Sequence, residues 1–242
     1  MPTYMSLMAD ILRSFPTHFR ALVFGARGGL GAALVAALQS RCQVTALTRA
    51  DIDICDEAAL AVLAEQEKAR GPLHLIINAT GLLHDAAAGI QPEKALKQIN
   101  AEAMAQVLAV NAVGPALIAK YFLPLLAREA KAVMAHLSAR VGSISDNRMG
   151  GWTSYRAAKA AQNMVVKNAA IETARRDKQK IIIGLHPGTV DSDLSAPFQG
   201  NVAEGKLFTP RQSADYLLQV IDTVTPPDSG KVFAWDGQEV SA

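Results

Sequence analysis

Short apolar runs alternate with longer amphipathic or Ala-rich stretches along nearly the whole chain. The pattern predicts buried strands at residues 20–24, 43–47, 73–77, 132–137, 181–185 and 232–235. It predicts helices at residues 29–40, 57–70, near 92, at 101–126 with a break at Gly114-Pro115, and at 155–176 and 211–224. Regular alternation of strand and helix indicates an α/β fold with one doubly wound parallel sheet and helices on both faces.

No linker, repeat or low-complexity tract divides the chain, so we expect one catalytic domain over residues 19–242. Residues 1–18 are expected to form a lead-in segment, starting with a short amphipathic helix. Asp10 and Arg13 interrupt the apolar pattern there, which argues against a secretory signal. No apolar run approaches the length that we expect of a membrane span.

Composition narrows the class of function. Of the 242 residues, 50% are apolar and 5% aromatic, which suits helices packed closely on a parallel sheet. The net charge of +2 comes without a long Lys/Arg run, so we expect neither nucleic acid nor membrane as a partner. Cys42 and Cys55 have no metal or redox spacing, which indicates a cytoplasmic protein. No cluster of His, Asp and Glu predicts a metal site.

A glycine turn follows the first predicted strand and opens the first helix. Gly25, Gly29 and Gly31 form the pattern Gly-x-x-x-Gly-x-Gly. Glycines permit a tight turn, and the amide groups of a helix N-terminus can bind a pyrophosphate. A structural turn without a ligand is the alternative interpretation.

The second predicted strand ends at Thr48 and Arg49, where dinucleotide folds select their cofactor. An acidic residue at this place binds a ribose hydroxyl, whereas an arginine suits a 2′-phosphate. Arg27 in the glycine turn adds a second positive charge. The charges therefore favour NADP(H) over NAD(H), unless both arginines are surface residues without a ligand.

Tyr155 and Lys159 lie four residues apart on a predicted helix, so their side chains should share one face. A lysine charge beside a phenol would lower the phenol's pKa and make an acid/base pair. Asn111 is an amide within an apolar helix, where it needs hydrogen-bond partners or serves a site.

The chain resembles the short-chain dehydrogenase/reductase family over residues 20–237. The resemblance is carried by the glycine turn, the Asn78-Ala79-Thr80-Gly81 turn, Tyr155-x-x-x-Lys159 and Pro187-Gly188. Residues 142–152 and 230–237 are similar to the carbonyl-reductase-like branch that includes C-factor and sniffer-type proteins. The resemblance implies a Rossmann-like fold and a homodimer or homotetramer.

The resemblance also implies roles for individual residues. Tyr155 would be the general acid/base, Lys159 would bind the nicotinamide ribose, and Asn111 would support a proton path to the lysine. The cofactor would be bound by Gly25, Arg27, Gly29, Leu30, Gly31, Thr48, Arg49, Asp53, Ile54, Asn78, Ala79, Gly81, Tyr155, Lys159, Pro187, Gly188, Val190 and Ser192.

The sequence departs from the family pattern at the substrate-orienting serine, a position occupied by Ala139. Ser143 and Ser138 are the candidates to replace it, with Ser143 slightly ahead because Ser138 should point to the opposite side of the strand. Phe24, in place of the usual threonine before the first glycine, is a second departure.

These features together predict an NADP(H)-dependent oxidoreductase that transfers hydride between nicotinamide and a small carbonyl or alcohol substrate. The alternative is an NADP(H)-binding signalling or structural protein with little or no turnover, which Ala139 keeps open. A nucleotide-fold methyltransferase is a more distant alternative, because it would not need the Tyr155 and Lys159 pair.

Overall fold

The computed structural model describes residues 11–241, with only the backbone described at Asn201. The strands are β1 (Arg20–Phe24), β2 (Gln43–Leu47), β3 (Leu75–Asn78), β4 (Ala132–Leu137), β5 (Lys180–His186), β6 (Thr189–Val190), β7 (Leu207–Phe208) and β8 (Val232–Ala234). The α-helices are α1 (Gly29–Gln39), α2 (Glu57–Ala69), α3 (Ala101–Leu108), α4 (Gly114–Phe122), α5 (Thr153–Ala174) and α6 (Pro210–Thr223). A π-helical turn (Ala109–Val113) joins α3 to α4, and 3₁₀ turns lie at Leu96–Gln98, Leu123–Leu125, Arg140–Gly142, Ala196–Asn201 and Pro226–Asp228.

Six strands form one parallel sheet in the order β2-β1-β3-β4-β5-β8, and β6 pairs with β7 in a small second sheet. Phe24, the last residue of β1, pairs with Leu47 on one side and Asn78 on the other. After β1 the chain first adds β2 on one side of it, and then crosses over to add β3 on the other side. In such sheets the reversal of strand order opens a crevice at the carboxyl ends of the strands.

The sheet separates two apolar cores, and alternate residues of β1 contribute to each. Ala21 and Val23 pack with Leu34 of α1 and Leu217 of α6 on one face. Leu22 and Phe24 pack on the other face with side chains of α2, α4 and α5. Helices thus cover both faces, which confirms the predicted doubly wound architecture.

Phe24 is fully buried, and its ring packs edge-on against the ring of Phe122 with centroids 5.2 Å apart. The departure from the family's threonine therefore adds an aromatic contact between the sheet and α4. Its position fills the core beneath the glycine turn.

Two helix predictions were wrong. The residues near Pro92 form only the 3₁₀ turn Leu96–Gln98. Gly114-Pro115 does not break the long helix, because the Gly114 amide bonds the Ala109 carbonyl five residues back. In a regular α-helix the ring of Pro115 would clash with the carbonyl group four residues before it. The wider π turn moves that carbonyl group away, so the helix continues.

The helical run from Ala101 to Leu125 is long and apolar enough to cross a membrane by length and composition, with a mean hydropathy of 1.5. This corrects the expectation that no apolar run approaches that length. The run packs on one face of the sheet beside α5, with Ile118 and Phe122 fully buried, as in the core helix of a globular domain. Length and composition are therefore weak indications of a membrane span here.

The predicted lead-in helix falls largely outside the described residues, and the boundary at residue 18 stays a prediction. From residue 11 the chain packs on the first core through Ile11, Leu12 and Phe15. The Asp222 carboxylate accepts hydrogen bonds from the amides of Leu12, at 2.9 Å, and Ser14, at 2.9 Å. These contacts fix the segment to the end of α6.

Candidate active site

A cavity of about 450 Å³ opens at the carboxyl ends of β1, β3, β4 and β5. Each strand contributes the segment that follows it, and the N-terminal part of α5 closes one side. The cavity lining includes the predicted site residues Gly29, Leu30, Gly31, Ala79, Gly81, Ser138, Tyr155, Lys159, Pro187, Gly188, Val190 and Ser192. The structure therefore brings four separate motifs to one cavity.

Tyr155 and Lys159 lie on the same face of α5, as their spacing predicts. Both are buried, and the Lys159 Nζ is 5.7 Å from the centre of the Tyr155 ring. The Nζ donates hydrogen bonds of 2.8 Å to the Leu137 carbonyl and 2.8 Å to Gln162 Oε1. These two bonds fix the lysine beside the phenol.

Burial governs the protonation of this pair. It raises the pKa of Tyr155 above its ordinary value and lowers the pKa of Lys159 to about 7. The direction for the tyrosine is opposite to the one expected from the lysine's charge. A neutral phenol is the form that donates a proton, so this state suits a general acid.

The glycine turn has the geometry of an anion-binding helix start. Gly28 precedes α1 without any side-chain cap on the helix. A Cβ at Gly31 would lie 2.1 Å from the Gly25 carbonyl oxygen, so only glycine lets the helix pack this closely on the turn. With no side-chain cap or first-turn acid, the amide end of α1 suits the pyrophosphate of a dinucleotide.

Asn78 and Asn111 support the cavity from behind its wall. Asn78 Oδ1 accepts hydrogen bonds from the Thr80 amide, at 3.1 Å, and the Thr80 hydroxyl, at 2.6 Å. Asn111 Oδ1 accepts from the Leu82 amide at 3.1 Å, and its Nδ2 donates to the Leu82 carbonyl at 2.7 Å. Both amides thus shape the turn after β3, whose Ala79, Thr80 and Gly81 line the cavity.

The predicted residues of the adenosine side do not line this cavity. Arg27 and Arg49 are exposed, and Thr48 donates from its amide and hydroxyl to Asp51 at 2.8 and 2.6 Å. Asp53 accepts from the Cys55 amide at 2.9 Å, and Ile54 is buried against Gly114. Arg27 lies in the glycine turn after β1, and the other four predicted residues lie at the end of β2 and in the loop after it.

The two candidate serines have different surroundings. Ser138 lines the cavity beside Ala139, and its hydroxyl donates to Asn163 Oδ1 at 2.6 Å. Ser143 is buried in the following turn, where its Oγ accepts from the Asp146 amide at 3.1 Å, and it does not line the cavity. The structure therefore favours Ser138 over Ser143, the reverse of the order that the sequence suggests.

Comparison with known proteins identifies the family. A family model described as short chain dehydrogenase matches residues 32–202. The C-signal protein of Myxococcus xanthus is 34% identical over 170 residues, which cover 70% of this chain and 93% of that protein. The chain belongs to the short-chain dehydrogenase family.

Two solved structures share the fold of this short-chain dehydrogenase. The carbonyl reductase Sniffer of D. melanogaster has a TM-score of 0.78 at 21% identity, over 93% of this chain and 100% of that chain. The NADPH-bound carbonyl reductase from chicken fatty liver has a TM-score of 0.75 at 21% identity, over 95% and 97%. The family is one of oxidoreductases, and the fold resemblance covers nearly the whole chain.

Several residues of this short-chain dehydrogenase site were missed from the sequence. Trp152 and Phe198 line the cavity with ring centroids 4.9 Å apart, and Trp152 also packs edge-on against Tyr155. Gln162, which accepts a hydrogen bond from Lys159, lies three residues after it on α5, a spacing that could have identified it. Phe198 is contributed by a distant loop and carries no comparable signal in the sequence.

His186 is the last residue of β5, and the structure places it on the cavity wall. Its buried Nδ1 has no hydrogen-bond partner within residues 11–241. Burial lowers the pKa of His186 to about 4, so the ring is neutral at physiological pH. It offers the cavity an uncharged polar group.

Proposed function

We propose that this chain is an NADP(H)-dependent reductase of small carbonyl compounds, which also oxidises the corresponding alcohols. The observation that carries the proposal is the shared cavity: the Tyr155 and Lys159 pair faces the same space as the start of α1 and the Pro187–Val190 segment. A cofactor lying along those two segments would bring its nicotinamide to the tyrosine. The apolar walls at Leu83, Val141 and Phe198 suit an uncharged substrate.

In this proposal the bound cofactor supplies hydride, and the protein supplies the proton and the orientation. Tyr155 donates its phenolic proton to the carbonyl oxygen of the substrate. Lys159 in its ammonium form has three N–H donors, and Leu137 and Gln162 accept two of them. The third is available for the ribose of the cofactor, and the positive charge stabilises the phenolate left after proton transfer.

The choice of NADP(H) is supported by charge at the end of β2. Arg49 is exposed just after β2, Arg27 is exposed in the glycine turn after β1, and an arginine fork suits a phosphate better than a hydroxyl. The chicken carbonyl reductase, whose fold is similar, holds NADPH. Arg49 and Arg27 are the proposed 2′-phosphate ligands.

The test is a panel of aldehydes, ketones and quinones supplied with NADPH or NADH, followed by nicotinamide absorbance. Tyr155→Phe removes the proton donor and leaves the cavity shape, so we expect turnover to fall at least about 100-fold. NADPH affinity, measured by calorimetry, should stay within about twofold of wild type. Retained turnover in the variant would exclude Tyr155 as the acid.

The alternative is a protein that binds NADP(H) without useful turnover. Two observations favour it: Ala139 supplies no hydroxyl, and the relative at 34% identity is named C-signal. The same experiment separates the two functions, because this alternative predicts tight NADPH binding and no oxidation with any carbonyl of the panel.

A further inference from the structure

Helix α5 begins without a cap of its own. Gly150, Gly151 and Trp152 have φ values of 64°, 65° and 50°, so three consecutive left-handed residues lead into the helix. Trp152 occupies the N-cap position and its side chain accepts no hydrogen bond from the first turn. The first amides of a helix need acceptors, which must here be supplied by another segment.

Glu93 supplies them from the loop between β3 and α3. Its Oε2 accepts from the Ser154 amide at 3.2 Å, its Oε1 accepts from the Ser154 hydroxyl, and its carbonyl oxygen accepts from the Trp152 amide at 2.5 Å. The Glu93 residue is only 6% exposed. A carboxylate at this place also complements the positive end of the helix dipole.

The fit between Glu93 and the start of α5 is close. A Cβ at Gly151 would lie 3.2 Å from the Glu93 carbonyl oxygen, so a side chain there would push against the contact. Ser154 directly precedes Tyr155, and the ring of Trp152 packs against the Tyr155 ring at 6.4 Å. The two residues that Glu93 binds are therefore the immediate neighbours of the proposed acid.

We propose that Glu93 is a positioning residue, which fixes Tyr155 at the cavity by capping α5 across the fold. This inference rests on the proposed function, in which Tyr155 donates the proton. Glu93 does not line the cavity and acts through Ser154 and Trp152. Its loss should misplace the phenol and impair the chemical step more than the binding of either ligand.

Asn100 offers a matched control from the same loop. Its Oδ1 accepts from the Ala103 amide at 2.9 Å and caps α3, a helix that does not carry the proposed acid. Removal of either cap should lower Tm by roughly 2–4 °C, a common effect of losing a helix cap in a chain of this size. Only the loss of Glu93 should alter catalysis.

The experiment compares Glu93→Ala, Glu93→Gln and Asn100→Ala with wild type in carbonyl reduction by NADPH. We expect Glu93→Ala to lower kcat about tenfold while KM and the NADPH Kd stay within about twofold. Glu93→Gln should lose less, because its amide keeps one acceptor oxygen for Ser154. Asn100→Ala should keep kcat within about twofold at a similar loss in Tm.

Hydrogen exchange of the amides at residues 153–156 gives a second readout that needs no activity. Faster exchange there in Glu93→Ala, with wild-type exchange in Asn100→Ala, supports the capping contact even if no carbonyl of the panel is reduced. The absence of turnover in wild type would count against the proposed function alone. Unchanged exchange at residues 153–156 in Glu93→Ala would overturn the positioning role, and so would equal kcat losses in Glu93→Ala and Asn100→Ala. If Glu93→Ala does not fold, Glu93→Gln takes its place in both comparisons.

Discussion

Ala139 changes what the cavity wall offers to a substrate. Its methyl group packs in a cluster with Tyr155, Trp152 and Val141. A methyl group donates no hydrogen bond, so the carbonyl oxygen of a substrate would depend on Tyr155 and on any hydroxyl nearby. Of the two candidate serines, Ser138 is the one on the cavity wall, and its proton is already directed to Asn163.

We expect Ser138→Ala to lower kcat/KM for carbonyl reduction about tenfold, because it removes a hydroxyl at the cavity and releases Asn163. Ser143→Ala should leave kcat/KM within about twofold, because within residues 11–241 the hydrogen bonds of Ser143 stay in its own turn. Steady-state kinetics of both variants makes the comparison. A larger loss in Ser143→Ala would restore the order suggested by the sequence.

The charge of Arg49 should decide the cofactor. Arg49→Ala removes a positive charge that we propose binds the 2′-phosphate, so the NADPH Kd should rise about tenfold or more. The NADH Kd should change by no more than about twofold, since NADH lacks that phosphate. Calorimetry with both cofactors measures the ratio, and equal wild-type affinity for NADPH and NADH would contradict the argument.

The π-helical turn between α3 and α4 is the element that delivers Asn111 to the site. Its carboxamide bonds both the amide and the carbonyl of Leu82, and it also donates to the Val107 carbonyl at 2.9 Å. These bonds tie the helix to the loop that follows the cavity-lining turn after β3. π turns of this kind are frequent at functional sites.

Asn111→Ala should lower the free energy of unfolding by about 2 kcal/mol, since it leaves the buried Val107 carbonyl and the partly buried amide and carbonyl of Leu82 without this partner. Urea denaturation measures the loss. Val113→Ala is the control in the same turn: Val113 is 51% exposed, and its truncation should cost less than about 0.5 kcal/mol. Equal losses would mean that the turn itself, and not the amide, carries the stability.

The sequence predicts an element correctly where a single property, such as burial on both faces of a strand, determines most of its residues. The central strands are buried on both faces, so nearly every residue is apolar and their bounds could be predicted within two residues. It failed at Gly114-Pro115, because a π turn removes the expected clash and leaves no periodic signature. Likewise, the contact between Glu93 and Ser154 joins segments about 60 residues apart, which no local pattern reports.

The stability of the whole molecule depends on pH through His136 and His186, whose rings are neutral in the folded protein. Burial lowers the pKa of His136 to about 4, helped by the charge of Lys159, and it lowers the pKa of His186 to about 4. An unfolded histidine has a pKa of about 6.5. Between pH 6.5 and 4 the unfolded chain therefore binds more protons, and stability falls as the pH falls through this window.

We expect the free energy of unfolding to drop by several kcal/mol between pH 7 and pH 4, measured by urea denaturation, with about 3 kcal/mol from each histidine. His136→Asn should flatten this dependence, because it removes one of the rings whose pKa burial lowers. An identical slope in His136→Asn would show that other groups govern the acid transition.

The aromatic side chains of Trp152, Tyr155 and Phe198 at the cavity allow ligand binding to be followed by tryptophan fluorescence. The chain has two tryptophans, and Trp152 lies in the cavity wall between Tyr155 and Phe198. Trp235 is held between Phe208 and Tyr216, at the end of the last strand. We therefore expect the fluorescence of Trp152 to change when a ring system enters the cavity, so ligand entry should be observable even for compounds that are never turned over.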